Sequence, residues 1–160
     1  MDFFDIAKNM EAEAVKTYSR LSKEAPLEQL RGVFNVLADE EQGHFDLFAG
    51  LQRRSVEVPA DEDILKRSKA LLSKWDREFR APDLSNLKNA YEKGMKTEHE
   101  AVAFYSKERE LLKDENQKRV MDVIIHQEKR HIVLFENLMD FVRQPRQWLE
   151  NAEFNHLEEY

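Results

Sequence analysis

Apolar residues recur every three or four positions along four long stretches of the chain, which is the spacing of a helix with one buried face. Pro26 separates the first two stretches, because proline ends a helix or opens the next. The predicted long helices span about residues 2–24, 27–54, 84–112 and 115–143. The pattern therefore predicts an all-α protein.

A shorter stretch with the same period, about residues 61–79, lies between the second and third long helices. Asp61 or a neighbour is expected to cap it, and Ala81-Pro82-Asp83 to break it. A helix of about 18 residues would rise roughly 27 Å, enough to carry the chain along most of a bundle. We also predict a short amphipathic helix from Trp148 to Phe154 in the C-terminal tail.

The two halves of this pattern repeat each other at a constant offset. Glu41-Gln42-Gly43-His44 returns as Glu128-Lys129-Arg130-His131, since 128 − 41 = 87 and 131 − 44 = 87. Further pairs at this offset include Glu11/Glu98, Tyr18/Tyr105, Val33/Val120, Val36/Val123, Leu47/Leu134 and Phe48/Phe135. The long helices therefore form two duplicated helical hairpins.

The duplication predicts the domain organisation. Residues 1–145 form one antiparallel four-helix bundle, with hairpins at about 2–54 and 84–143 joined by a helical crossover at 55–83. Residues 146–160 are an amphipathic tail of the same domain. At 160 residues the chain is long enough for one domain with a sizeable core.

Composition excludes several classes of function. The 160 residues contain no cysteine, which excludes disulfides, thiolate zinc sites and iron–sulfur centres within them. A net charge of −7 disfavours nucleic-acid binding, and apolar runs of no more than five residues exclude a membrane span. Because no basic region precedes an apolar run at the N-terminus, we expect no signal peptide and a cytoplasmic location.

Six polar residues interrupt the apolar stripes. They occupy positions where each helix should continue its buried face: Glu11, Glu41, His44, Glu98, Glu128 and His131. A solvated charge would fall on the opposite face of the helix. Since burying an unpaired carboxylate is very unfavourable, these groups require a cation.

The four glutamates are expected to lie at one height in the bundle. Glu11 and Glu41 are each 15 residues from the turn at Pro26, since 26 − 11 = 15 and 41 − 26 = 15. Glu98 and Glu128 are equally spaced about Lys113. Equal distances from an antiparallel turn give equal heights, so the carboxylates form one layer with each histidine one turn away.

This layer predicts a site for two metal ions. Glu and His three residues apart on a helix point to the same side and can both contact one metal. Two such pairs, with one glutamate from each remaining helix, form the carboxylate-bridged two-metal set of four-helix bundles. We expect two of the glutamates to bridge. Oxygen and imidazole ligands favour two iron ions, with manganese or a mixed pair as alternatives.

Other polar residues have less specific predictions. Tyr18 and Tyr105 lie two helical turns past Glu11 and Glu98, so each is either a core aromatic or a hydrogen-bond donor to a ligating carboxylate. The remaining histidines lack repeat partners, and two further glutamates lie off the core face. We expect all of these at the surface: His99, His126, His156, Glu13 and Glu100.

These motifs resemble the rubrerythrin branch of the ferritin-like superfamily, over about residues 2–143. The resemblance rests on Glu11-x-x-Ala14-x-x-x-Tyr18, Leu37 to His44, Glu98-x-x-Ala101-x-x-Phe104-Tyr105 and Glu128-x-x-His131. It implies a ferritin-like fold and a non-haem di-iron site that reduces hydrogen peroxide or oxygen. The implied ligands are the same six residues.

Two features depart from the family pattern. Full-length rubrerythrins carry a four-cysteine rubredoxin-like domain that feeds electrons to the iron pair, so this cysteine-free chain needs an external donor such as a rubredoxin-like protein. Rubrerythrins also usually place a further carboxylate one turn after the third-helix glutamate. Here Ala101 stands at that position and Ala14 at its repeat mate. The six ligands also resemble the ferroxidase centre of bacterioferritin.

Three functions follow as alternatives. The first is a di-iron oxidoreductase acting on hydrogen peroxide or oxygen, for which a homodimer is the expected assembly. The second is a ferroxidase that oxidises Fe(II) and passes it on to storage, which requires a closed shell of many subunits. The third is a structural bundle with a vestigial metal site.

Overall fold

The computed structural model describes residues 1–74, 84–144 and 147, and these residues form helices without any strand. The helices are α1 (Phe3–Glu24), α2 (Glu28–Arg53), α3 (Ile64–Leu72), a 3-10 turn (Ser85–Leu87), α4 (Lys88–Leu111) and α5 (Glu115–Arg143). The predicted all-α class is confirmed. Among the described residues, no helix is both long and apolar enough to cross a membrane.

Local chemistry fixes where these helices begin. Asp2 caps α1, because its carboxylate accepts from the Asp5 N–H while Asp5 accepts in return from the Asp2 N–H. The Asp114 carboxylate caps α5 by accepting from the Gln117 N–H at 2.9 Å. These caps fix the start of one helix in each hairpin.

The helices pair as the duplication predicts. α1 packs against α2 and α4 against α5, while the two hairpins meet through α2 with α5 and α1 with α4. Two apolar clusters fill the interior. One includes Tyr18, Phe34 and Phe135, and the other includes Phe48 and Tyr105.

The crossover helix is shorter than predicted. α3 has nine residues and ends at Leu72, where the Ser73 N–H donates to the Lys69 carbonyl and the Ser73 hydroxyl donates to the Ala70 carbonyl. Such side-chain bonds to the backbone compete with helix continuation. The prediction that this helix continues without a break past Leu72 is therefore wrong for the described residues 73–74. Its Trp75 and Phe79, and the tail helix predicted for 148–154, lie outside the described residues.

Ion pairs attach the connector before α3 to α5. Arg130 donates to the Asp61 carboxylate at 2.8 Å and to the Glu62 carbonyl at 3.0 Å. The other Asp61 oxygen lies 2.7 Å from His126 Nδ1. The expected helix cap is Asp63, a neighbour of Asp61, whose carboxylate accepts from the Leu65 N–H. These contacts hold the start of the crossover beside the Glu-x-x-His segment of α5.

Two helical glycines should respond oppositely to alanine. Gly43 is exposed and an added Cβ meets no atom within 4 Å, so Gly43→Ala should raise the free energy of unfolding by about 1 kcal/mol. At Gly94 the added Cβ would lie 2.8 Å from the ring of fully buried Phe135. Gly94→Ala should therefore lower that free energy by about 1–3 kcal/mol. Urea unfolding measures both, and equal effects would contradict the packing described.

Candidate metal centre

The six polar residues of the apolar stripes meet in one buried layer, each no more than 2% exposed. Glu11 comes from α1 and Glu98 from α4, while α2 and α5 each contribute a Glu-x-x-His pair. The layer lies between the two apolar clusters, since Tyr18 of one and Tyr105 of the other both contact it.

The layer divides into two overlapping groups of four. The first contains Glu11, Glu41, His44 and Glu128, and the second contains Glu41, Glu98, Glu128 and His131. Within each group, one ligand atom from every residue lies within 4.8 Å of the others. Glu41 and Glu128 belong to both groups, so their carboxylates lie where two metal ions could share them. Glu11 and Glu98 each belong to one group.

The two histidines present the same atom to the carboxylates. His44 Nδ1 lies 3.1 Å from Glu41 Oε2 and 3.0 Å from Glu128 Oε1. His131 Nδ1 lies 3.1 Å from Glu41 Oε1 and 3.0 Å from Glu128 Oε2. The rings stack with centroids 6.0 Å apart at an interplanar angle of 21°. Each Nδ1 is therefore placed to act as a ligand.

Burial and crowding set the charge state of the metal-free layer. Burial, followed by the neighbouring carboxylates, raises the pKa of Glu41 well above 4.5 and that of Glu128 to about 8. Burial opposes ionisation of Glu98 too, but His131 and Glu128 outweigh it and hold its pKa at about 2.

The histidines balance these carboxylates. Burial alone would lower the pKa of His44, yet Glu128, Glu11 and Glu41 raise it well above 6.5. The pKa of His131 is raised in the same way, chiefly by Glu41 and Glu98 against burial. Without metal, the layer is neutralised by protons.

The donor set fits a pair of divalent cations. Four carboxylates carry up to four negative charges, which two such ions would neutralise, and carboxylate with imidazole suits iron or manganese. Glu128 Oε2 is buried and has no hydrogen-bond partner of good geometry, although His131 Nδ1 lies 3.0 Å away. A buried carboxylate oxygen that lacks such a partner is suited to coordinate a metal ion.

Tyr18 and Tyr105 hydrogen-bond to the layer crosswise between hairpins. The Tyr18 hydroxyl donates to Glu98, and the Tyr105 hydroxyl donates to Glu11 at 2.6 Å. Both tyrosines are also buried core aromatics, so the two interpretations open from the sequence are compatible. Each hydroxyl therefore helps to orient a carboxylate that belongs to only one of the two groups.

The remaining polar residues occupy varied positions. Glu13, His99 and Glu100 are exposed, as predicted, whereas His126 is only partly exposed and contacts Asp61. His156 lies outside the described residues.

Two residues that contact the histidines of the layer were not predicted from the sequence. Glu40 Oε1 lies 3.0 Å from His131 Nε2, and Gln127 Oε1 lies 2.8 Å from His44 Nε2. The available signal was the offset, because 127 − 40 = 87 and each residue precedes a motif glutamate.

The metal-free protein should lose stability as the pH rises from 5 to 8. Folded Glu128 keeps a proton up to about pH 8 that the unfolded chain releases near pH 4.5, and the two histidines behave likewise above pH 6.5. Glu98 does not change this trend. Because its pKa is lowered, its stabilising effect is already fully present between pH 5 and 8. Urea unfolding in chelator should show this fall, and Glu128→Gln should reduce its slope. A rise in stability over the same range would contradict these charge states.

Comparison with known proteins identifies the family. The family model described as Rubrerythrin matches residues 2–139 of the 160. No curated protein and no solved structure matches the chain significantly. The matched segment contains all six residues of the buried layer. On this match, and with an all-helical fold around a cluster of carboxylates and histidines, the chain belongs to the rubrerythrin family.

Proposed function

We propose that this protein is a non-haem di-iron oxidoreductase that reduces hydrogen peroxide or oxygen with electrons from an external donor. The observation that carries the proposal is the pair of overlapping four-residue groups that share Glu41 and Glu128. Shared carboxylates would hold two metal ions adjacent to each other. Family membership supports iron as the metal.

Two adjacent iron ions would supply a pair of electrons to the substrate without release of a one-electron radical. The protein contributes ligands, orientation and the exclusion of water. Glu41 and Glu128 would bridge, whereas Glu11 with His44 and Glu98 with His131 would complete the two positions. Burial of the layer keeps the carboxylates from bulk water and so strengthens their interaction with cations.

The partners follow from the same proposal. The 160 residues contain no cysteine, so electrons would come from outside them, for which a rubredoxin-like protein is suited. The substrate is hydrogen peroxide or oxygen, and the assembly is a homodimer. We propose a cytoplasmic location.

Anaerobic loading with Fe(II) followed by substrate addition tests this function. Two equivalents of Fe(II) per chain should bind and be oxidised on addition of hydrogen peroxide or O₂, and a chemical reductant should restore the reduced state for further turnovers. Absorbance follows each step, and comparison of the two oxidants identifies the preferred substrate. Iron that binds but reacts with neither oxidant would contradict an oxidoreductase.

A ferroxidase is the second candidate, and the lack of a fifth carboxylate in the two described groups favours it. Ala101, one turn after Glu98, is a buried apolar residue, and each described group contains only the carboxylates already named. A ferroxidase would release oxidised iron and accept fresh Fe(II), whereas an oxidoreductase would retain its two ions through many turnovers. A solution mass corresponding to a closed shell would also favour the ferroxidase.

A further inference from the structure

The outer nitrogens of the two histidines have different partners. His131 Nε2–H donates to the carboxylate of Glu40 at 3.0 Å, whereas His44 Nε2–H donates to the amide oxygen of Gln127 at 2.8 Å. Glu40 and Gln127 are repeat mates, and each contacts the histidine of the opposite hairpin. Both are shielded from solvent, since the Glu40 side chain is 10% exposed and Gln127 is 6% exposed.

We infer that this difference makes the two metal positions unequal. The position served by His131 binds metal more tightly and fills first, with Glu40 as its positioning residue. The position served by His44, whose imidazole is oriented by Gln127, binds more weakly and fills second. This inference rests on the proposed metal centre and specifies how its two halves differ.

Hydrogen-bond chemistry sets the direction of the difference. A carboxylate that accepts from the Nε2–H of an imidazole attracts that proton more strongly than an amide does. As a result, Nδ1 of the same ring becomes a better electron donor to a metal ion. Loss of such an outer partner typically costs about 10–100-fold in metal affinity. The exchange of carboxylate for amide keeps the hydrogen bond, so we expect an effect near the lower end of this range.

Charge acts in the same direction. The His131 group contains Glu41, Glu98 and Glu128, and Glu40 adds a fourth carboxylate next to it. The His44 group contains three carboxylates and the neutral amide of Gln127. In a buried layer, one additional negative charge favours a cation at the nearer position.

The ligand sets do not offset this difference. Each position has one histidine, one non-bridging glutamate and the same two shared glutamates. Each non-bridging glutamate also accepts from one tyrosine, Glu98 from Tyr18 and Glu11 from Tyr105. The exception among these matched contacts is the repeat pair Glu40 and Gln127. Glu40 offers a charged acceptor to its histidine, whereas Gln127 offers a neutral one.

Titration of metal-free variants with Co(II), followed by its visible absorption, separates the two positions. His44→Ala retains the His131 position, and His131→Ala retains the His44 position. We expect His44→Ala to bind its remaining Co(II) about tenfold more tightly. Adding Glu40→Gln to His44→Ala should remove most of that advantage, whereas adding Gln127→Glu to His131→Ala should increase affinity.

The same exchanges in the chain with both histidines provide an independent readout. Glu40→Gln should weaken the first binding step, and Gln127→Glu should strengthen the second. General damage to the fold would not produce the increase in affinity expected for Gln127→Glu. Circular dichroism checks that each variant is folded. Two Co(II) ions bound with constants unchanged by either exchange would overturn the inference and leave the metal centre intact. Failure of the unmodified chain to bind Co(II) or Fe(II) would instead contradict the proposed function.

Discussion

Replacing either His44 or His131 with alanine should leave about one metal ion per chain and remove most peroxide or oxygen turnover. Each histidine belongs to one of the two groups, while Glu41 and Glu128 belong to both. Loss of one imidazole should therefore empty one position and spare the other. Two-electron chemistry requires two ions close together, so both variants should lose it. Metal content after anaerobic Fe(II) loading and steady-state turnover measure the two effects.

His99→Ala is the matched control for these variants. His99 is exposed on α4 and belongs to neither group, so its replacement should change neither iron content nor turnover. Slow one-electron cycling by the remaining iron is expected in the two site variants. If His131→Ala kept full turnover while His44→Ala abolished it, the working site would hold one metal and the second half would be a structural copy.

Removal of metal should lower the melting temperature by roughly 5–15 °C. A ligand that binds only the folded state stabilises it by about 2.7 kcal/mol at 100 times its Kd and about 4.1 kcal/mol at 1,000 times. For a chain of this size, 1 kcal/mol corresponds to about 2–4 °C. In addition, burial and then the neighbouring carboxylates raise the pKa values of Glu41 and Glu128 in the metal-free layer, so ionising these groups without a metal is unfavourable. Calorimetry in chelator and with anaerobic Fe(II) measures this difference.

Glu41→Ala tests whether the stabilisation by Fe(II) comes from binding at this layer. Glu41 belongs to both groups, so its loss should weaken metal binding at both positions and remove most of the stabilisation by Fe(II). The metal-free variant should still fold, because the substitution removes one carboxylate from a crowded layer. Identical melting curves of the unmodified protein with and without Fe(II) would argue against a metal site at these residues.

The fold and the six residues of the layer were predictable because two constraints coincide. A carboxylate in an apolar stripe is costly, and this cost makes Glu11 and Glu41 conspicuous in a helical pattern. The 87-residue offset then pairs each position with a second one. Equal spacing from Pro26 gave the common height of these two glutamates, and the structure brings them into one group.

Other features depend on contacts that helical periodicity does not specify. Ser73 bonds to the backbone and ends α3 within a stretch whose apolar spacing predicted a longer helix. Tyr18 and Tyr105 each hydrogen-bond to a glutamate of the opposite hairpin, and helix packing determines this partner. Glu40 and Gln127 were missed because a polar residue beside a motif looks like an ordinary solvated side chain.

Anomalous diffraction at the iron edge, from crystals grown with Fe(II) under anaerobic conditions, tests the central claim most directly. We predict two iron peaks about 3.5–4 Å apart within the buried layer, the spacing of two-metal sites. One peak should be bounded by Glu11 and His44 and the other by Glu98 and His131, with Glu41 and Glu128 between them. A single peak in the layer, or iron bound only outside it, would contradict a di-iron centre.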